Sequence, residues 1–201
     1  MTSNSAVTSA VAPTINKVYI DQEEYFTAIT KATNYLISKV AEVGENILLL
    51  GVARGGTIPT TLIDYKISSL FKERSLFAVS SRFVSINFYD GESSLANESF
   101  RSVLETIPRE TKYSRVYVID DLLDSGRTLS LLHTFLDSSK LCAFNKTSVE
   151  YITLFKKDSE EVLTNFKNLL SSSTSKTSSY SYYCASEKRF PLDSWIEFWY
   201  D

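Results

Sequence analysis

Asp120, Asp121 and Asp124 are the residues of this chain best placed by type and spacing to do chemistry. They lie in the run Val116-Tyr117-Val118-Ile119-Asp120-Asp121-Leu122-Leu123-Asp124-Ser125-Gly126-Arg127-Thr128. Adjacent carboxylates repel unless they meet solvent, donors or a cation, and a sugar diol or a hydrated Mg²⁺ both supply such partners. Charge alone does not choose between those two. Asp124, three residues on, is of a residue type that can act as a general base when within hydrogen-bond reach of a ligand. Ser125, Gly126 and Thr128 then supply two hydroxyls and a flexible backbone position at the entry to a helix, with Arg127 among them either a further donor to phosphate or a side chain turned to solvent. There the outward backbone N–H groups and the positive end of the dipole favour an anion. The turn therefore has the parts of a phosphate cradle.

The elements that must position these groups can be read on either side. Arg115 to Ile119 is apolar enough for a central parallel strand buried on both faces, whose carboxyl end is where open α/β sheets bind ligands. Leu129, Leu131, Leu132, Phe135 and Leu136 recur at helical spacing after the turn. Paired acids after a strand also occur in phosphatases that form an aspartyl phosphate and in phospho-acceptor domains. The phosphatase class, however, separates its two acids by one residue, and here Asp121 follows Asp120 directly. A Gly turn with Ser and Thr can also be no more than a helix cap.

The whole run resembles the phosphoribosyl pyrophosphate signature of the type I phosphoribosyltransferases. A second segment agrees: Ile47 to Val52 is another apolar strand, and Ala53-Arg54-Gly55-Gly56-Thr57 after it resembles the family's pyrophosphate loop. The Gly55-Gly56 pair permits a tight backbone, and Arg54 offers a forked donor for phosphate oxygens or a structural carboxylate. At the C-terminus, Phe190-Pro191-Leu192-Asp193-Ser194-Trp195-Ile196-Glu197-Phe198-Trp199-Tyr200-Asp201 resembles the closing segment of bacterial xanthine-guanine phosphoribosyltransferases, in which an aromatic followed by an Ile stacks on the purine. Trp195 and Ile196 match those positions, and stacking on an aromatic is worth about 1–3 kcal/mol per base. Both Trp residues could equally be packing anchors. Val149 to Phe155 reads as a buried strand that delivers Lys156 and Lys157 to the same sheet edge.

From the resemblance follow an activity and a set of roles. It implies an Mg²⁺-dependent enzyme of purine salvage that transfers 5-phosphoribosyl from phosphoribosyl pyrophosphate to N9 of xanthine, guanine or hypoxanthine. Asp120 and Asp121 would hold the ribose hydroxyls and the metal, Asp124 the purine N7 proton, and Ser125, Gly126, Arg127 and Thr128 the 5′-phosphate. Arg54, Gly55 and Gly56 would bind pyrophosphate, and Lys157, with Lys156 as the alternative, the 6-oxo group. Two other readings stay open: a regulator that senses phosphoribosyl pyrophosphate without turnover, and a transferase for another base. Lysine against a 6-amino group, itself a donor, disfavours adenine.

Composition fits a single domain. The chain has 201 residues, 43% hydrophobic and 22% charged, with a formal net charge of -3. That balance gives no reason to expect nucleic-acid binding. Cys142 and Cys184 are far apart and show no metal-ligand spacing, and His133, in mid-helix, has no Ser or Cys partner, so it reads as structural. No stretch approaches the roughly 20 apolar residues of a membrane span. Residues 1–15 read as a disordered tail without a secretory signal's basic and apolar regions, which makes the cytoplasm the expected compartment.

Strand and helix patterns alternate through 16–201: a helix over Asp21 to Val40 capped by Asp21, a helix over Ile58 to Phe71, apolar runs at Leu76 to Val79 and Phe83 to Phe88, a helix over Glu160 to Leu170 and a strand over Tyr180 to Ala185. The expected fold is α/β: a five-stranded, mostly parallel doubly wound sheet with a small C-terminal hood over about 180–201. The polar stretch over about 90–113 is too long for an ordinary connection, and the family resemblance makes it a flexible lid that excludes water. Phe88-Tyr89 would mark its hinge and Arg101 a solvated loop charge. The Ser/Thr-rich segment 171–179 reads as an exposed connection. Family members are usually dimers or tetramers, so a homo-oligomer is expected.

Overall fold

The computed structural model describes residues 16–40, 46–71, 79–86, 102–103, 113–138, 147–172 and 179–201. Strand β1 (Asn16–Ile20) and helix α1 (Gln22–Val40) come first, followed by β2 (Ile47–Ala53), α2 (Thr57–Phe71) and β3 (Val79–Ser85). Then come β4 (Arg115–Leu123), α3 (Arg127–Ser138), β5 (Ser148–Lys157), α4 (Glu160–Ser171), β6 (Ser179–Cys184), β7 (Arg189–Phe190) and β8 (Ser194–Phe198).

The main sheet runs β3-β2-β4-β5-β6, and β7 adds a two-residue pairing to β5. Every pairing is parallel. The expected five-strand sheet is thus present with one short addition. Strands β2 and β4 are buried on both faces, which is why they read as continuous apolar runs. Side chains alternate between two cores: Ile47, Leu49, Tyr117 and Ile119 pack with α1, α2 and β8. Leu48, Leu50, Val116 and Val118 pack on the other face with Leu129, Leu132 and Leu136 of α3 and Phe166 of α4.

Helix starts follow local chemistry. The Asp21 carboxylate accepts the Glu24 N–H at 2.8 Å, so the expected cap is there. The Ser159 hydroxyl likewise accepts the Val162 N–H at 3.1 Å at the start of α4. β3 bridges what the sequence presents as two apolar runs, because its central Ser80, Ser81 and Arg82 lie on an edge strand that tolerates half-exposed polar residues.

Outside the main sheet, β1 pairs in parallel with β8, Lys17 opposite Trp195 and Tyr19 opposite Glu197. This two-stranded hood joins the beginning of the described chain to its end, and Ile20, Ile196 and Phe198 bury its inner face in the core beside Tyr25 and Phe155. The expected lid lies almost wholly outside the described residues, as do the tail 1–15, Phe88-Tyr89, Arg101, Cys142 and residues 173–178 of the Ser/Thr-rich segment. Among the described residues no helix is long and apolar enough to cross a membrane.

Candidate active site

The site assembles where β2, β4 and β5 end. β4 continues through Asp120 and Asp121 to Leu123, so the acids belong to the strand instead of following it, held there by pairing of Asp120 with Thr153, Leu122 with Phe155 and Leu123 with Lys156. That register sets Asp124 beside Lys157. The two are ion-paired, Lys157 Nζ to Asp124 Oδ1 at 2.7 Å, with the lysine side chain only 10% exposed and the aspartate 58%. Lys157 also donates to the Leu192 carbonyl at 3.3 Å, because β7 pairs Lys157 with Phe190 and brings the next residues over the strand end.

Asp120 is buried, and its Oδ1 accepts the Asp121 N–H at 2.9 Å. Burial, reinforced by the neighbouring Asp121 charge, pushes its carboxyl well above the usual carboxylate range. Asp121 is also pushed up by burial, opposed chiefly by the hydrogen bond from Tyr200. The Tyr200 hydroxyl donates to Asp121 Oδ2 at 2.8 Å.

The β2–α2 turn closes against these acids. The Ala53–Arg54 peptide bond is cis, and Arg54 is exposed. A Cβ on Gly55 would collide with the Asp121 carboxylate, and one on Gly56 with the Ile119 carbonyl and the Val52 backbone. Only glycine allows this approach. On the other side, Gly126 takes φ +75° and its carbonyl accepts the Ser130 N–H at 2.9 Å, opening α3 at Arg127. Asp124, Ser125 and Arg127 are exposed and Thr128 is half-buried, so the expected anion cradle faces outward at a helix N-terminus.

The structure thus brings the Arg54-Gly55-Gly56 turn, the acid pair, Asp124 and Lys157 into one locality. It separates Trp195 from Ile196. Burial alternates along β8, with Trp195 58% exposed and Ile196 buried in the core, so the two lie on opposite faces and only Trp195 is open to a ligand. Lys156 is half-buried. His133 is buried and shares a 3.0 Å hydrogen bond between its Nδ1 and the Tyr151 hydroxyl, a packing role as expected.

Sequence reasoning missed Tyr200. Nothing in its spacing marks it, because its contact with Asp121 is made by the hood. As for a metal, no group of three potential ligands occurs among the described residues. Two oxygen-bearing acids do suit an ion such as Mg²⁺, which keeps several waters and arrives with substrate phosphates.

Residues 21–184 match the phosphoribosyl transferase domain, and the chain belongs to that family, an enzyme family of type I phosphoribosyltransferase fold. Solved structures similar to it include a purine phosphoribosyltransferase from Pyrococcus horikoshii, 20% identical, with 93% of this chain and 95% of that one covered and a TM-score of 0.49. The Helicobacter pylori xanthine-guanine-hypoxanthine phosphoribosyltransferase is 16% identical, with 91% and 93% covered and a TM-score of 0.42. A hypoxanthine-guanine enzyme from Leishmania tarentolae, solved with GMP, is 17% identical, with 68% and 67% covered and a TM-score of 0.42. No curated protein matches the sequence.

Proposed function

We propose that the protein transfers 5-phosphoribosyl from phosphoribosyl pyrophosphate to N9 of a 6-oxopurine, as a cytoplasmic salvage enzyme assembled from identical subunits. The observation that carries this reading is the 2.7 Å pair between Lys157 and Asp124, because it joins a base-side cation to the sugar-side turn within one site. A purine that replaced this direct contact would present its 6-oxo acceptor to the lysine and its N7 proton to the aspartate. The lysine is held ready by the Leu192 carbonyl.

In this reaction the N9–C1′ bond forms as the C1′–O bond breaks. The bonding pair leaves with pyrophosphate, and the purine proton passes to Asp124. Asp124 is also a negative charge beside a ribose ring that becomes cationic as the leaving group departs. Gly55, Gly56 and Arg54 receive pyrophosphate, the Ser125-to-Thr128 turn receives the 5′-phosphate, and Trp195 offers its exposed face to the purine. Mg²⁺, held by Asp120 and Asp121 together with substrate oxygens, would neutralise charge on the pyrophosphate.

Asp124→Asn tests the assignment. Turnover should fall about 10²-fold or more, the scale of a lost general base. Unchanged turnover removes Asp124 from the role.

A further inference from the structure

Tyr200 reaches the acid pair from a turn that the rest of the hood holds in place. The Trp199 N–H donates to the Ile20 carbonyl at 3.1 Å, the Phe198 N–H to Asp201 Oδ2 at 2.9 Å, and the Asp201 N–H to the Phe198 carbonyl at 3.0 Å. The Tyr200 ring lies parallel to Phe198, centroids 5.4 Å apart at 4°, and meets Tyr25 of α1 edge-on at 5.3 Å and 71°. The phenol is therefore fixed by contacts other than its own hydroxyl. That hydroxyl donates to Asp121 Oδ2 at 2.8 Å, while Gly55 closes on the same carboxylate from the β2–α2 turn.

We propose that Tyr200 is a positioning residue for phosphoribosyl pyrophosphate binding: its hydroxyl holds the Asp121 carboxylate in the orientation that the Arg54-Gly55-Gly56 turn is built around. Through it, docking of the β1–β8 hood is coupled to the sugar-phosphate half of the site. A hydrogen bond to a charged acceptor is among the stronger ones, and a carboxylate released from it can turn into the space where the ligand's oxygens must sit. The inference rests on the proposed function above, which makes Asp121 a ligand-binding acid.

The test is Tyr200→Phe in the full chain, which keeps the ring and its stacking and removes only the hydroxyl. Titration calorimetry with phosphoribosyl pyrophosphate and Mg²⁺ should show Kd raised about tenfold, equivalent to about 1.4 kcal/mol. The KM for the purine and kcat at saturating phosphoribosyl pyrophosphate should stay within about twofold, because the ring, Asp124 and Lys157 are untouched. Wild-type affinity in the variant would overturn the proposal. So would tighter binding, which would make Tyr200 a competitor for Asp121, and so would equal losses in all three quantities, the mark of a loosened fold. If the wild-type protein binds no phosphoribosyl pyrophosphate, it is the proposed function that fails, and the inference falls with it.

Discussion

Alanine at Gly55 and alanine at Gly56 should have different consequences, because the atoms each new methyl would meet differ in their freedom to move. At Gly56 the ideal Cβ falls on the Ile119 carbonyl oxygen and lies 2.7 Å from the Val52 nitrogen and 2.8 Å from the Val52 oxygen. The glycine's own N–H also donates to the Val52 carbonyl at 2.6 Å. These neighbours are backbone atoms of β2 and β4, the two strands buried on both faces, so no rotamer change relieves the overlap. Overpacking of this kind costs about 1–3 kcal/mol and sometimes more, and a rigid surround places Gly56→Ala at the upper end. For a chain of this size about 3 kcal/mol lowers Tm by roughly 6–12 °C. At Gly55 the three atoms nearest the methyl all belong to the Asp121 side chain, whose carboxylate can rotate away by giving up its bond to Tyr200. The fold should then lose about 1 kcal/mol, or roughly 2–4 °C, while affinity for phosphoribosyl pyrophosphate drops at least about tenfold. Thermal melting of both variants and ligand titration of Gly55→Ala give the readouts. The reasoning is refuted if Gly56→Ala melts within about 2 °C of wild type, or if Gly55→Ala is the less stable of the two.

Two further expectations concern the base and the core. Trp195→Ala should shift Tm by less than about 2 °C, since the side chain is 58% exposed, and should raise the KM for the purine about tenfold. A loss of stability with unchanged KM would make Trp195 a packing anchor. Burial depresses the pKa of His133 below its usual 6.5, with Asp137 and the Leu169 backbone opposing. As pH falls through about 6.5 the unfolded chain takes up a proton that the folded one resists, so the stabilising contribution is whole above that pH and is lost toward the folded value. Urea unfolding at pH 7.5 and pH 5 should therefore show a steeper loss for wild type than for His133→Gln, and equal losses would contradict it.

How far the site could be read from the sequence depends on how local its causes are. A strand buried on both faces must be a continuous apolar run, so β2 and β4 were plain, and the glycines and acids at their ends stood out against them. Lys157 was legible because it ends such a run. That β4 extends through the acids was not, because the extension is made by pairing with β5. The separation of Trp195 from Ile196 follows from the two-residue strand period, but β8 announces itself only by its parallel pairing with β1, from the other end of the chain. Tyr200 and Asp121 lie 79 residues apart, and no local pattern records a contact that depends on hood docking.

The central claim is tested most directly by pyrophosphate release from purified protein given phosphoribosyl pyrophosphate and Mg²⁺ with guanine, xanthine, hypoxanthine, adenine or uracil in turn. Release with one or more 6-oxopurines, and little with adenine or uracil, is the predicted result. Tight binding of phosphoribosyl pyrophosphate without release on any base would contradict it and make the protein a sensor built on an enzyme's fold.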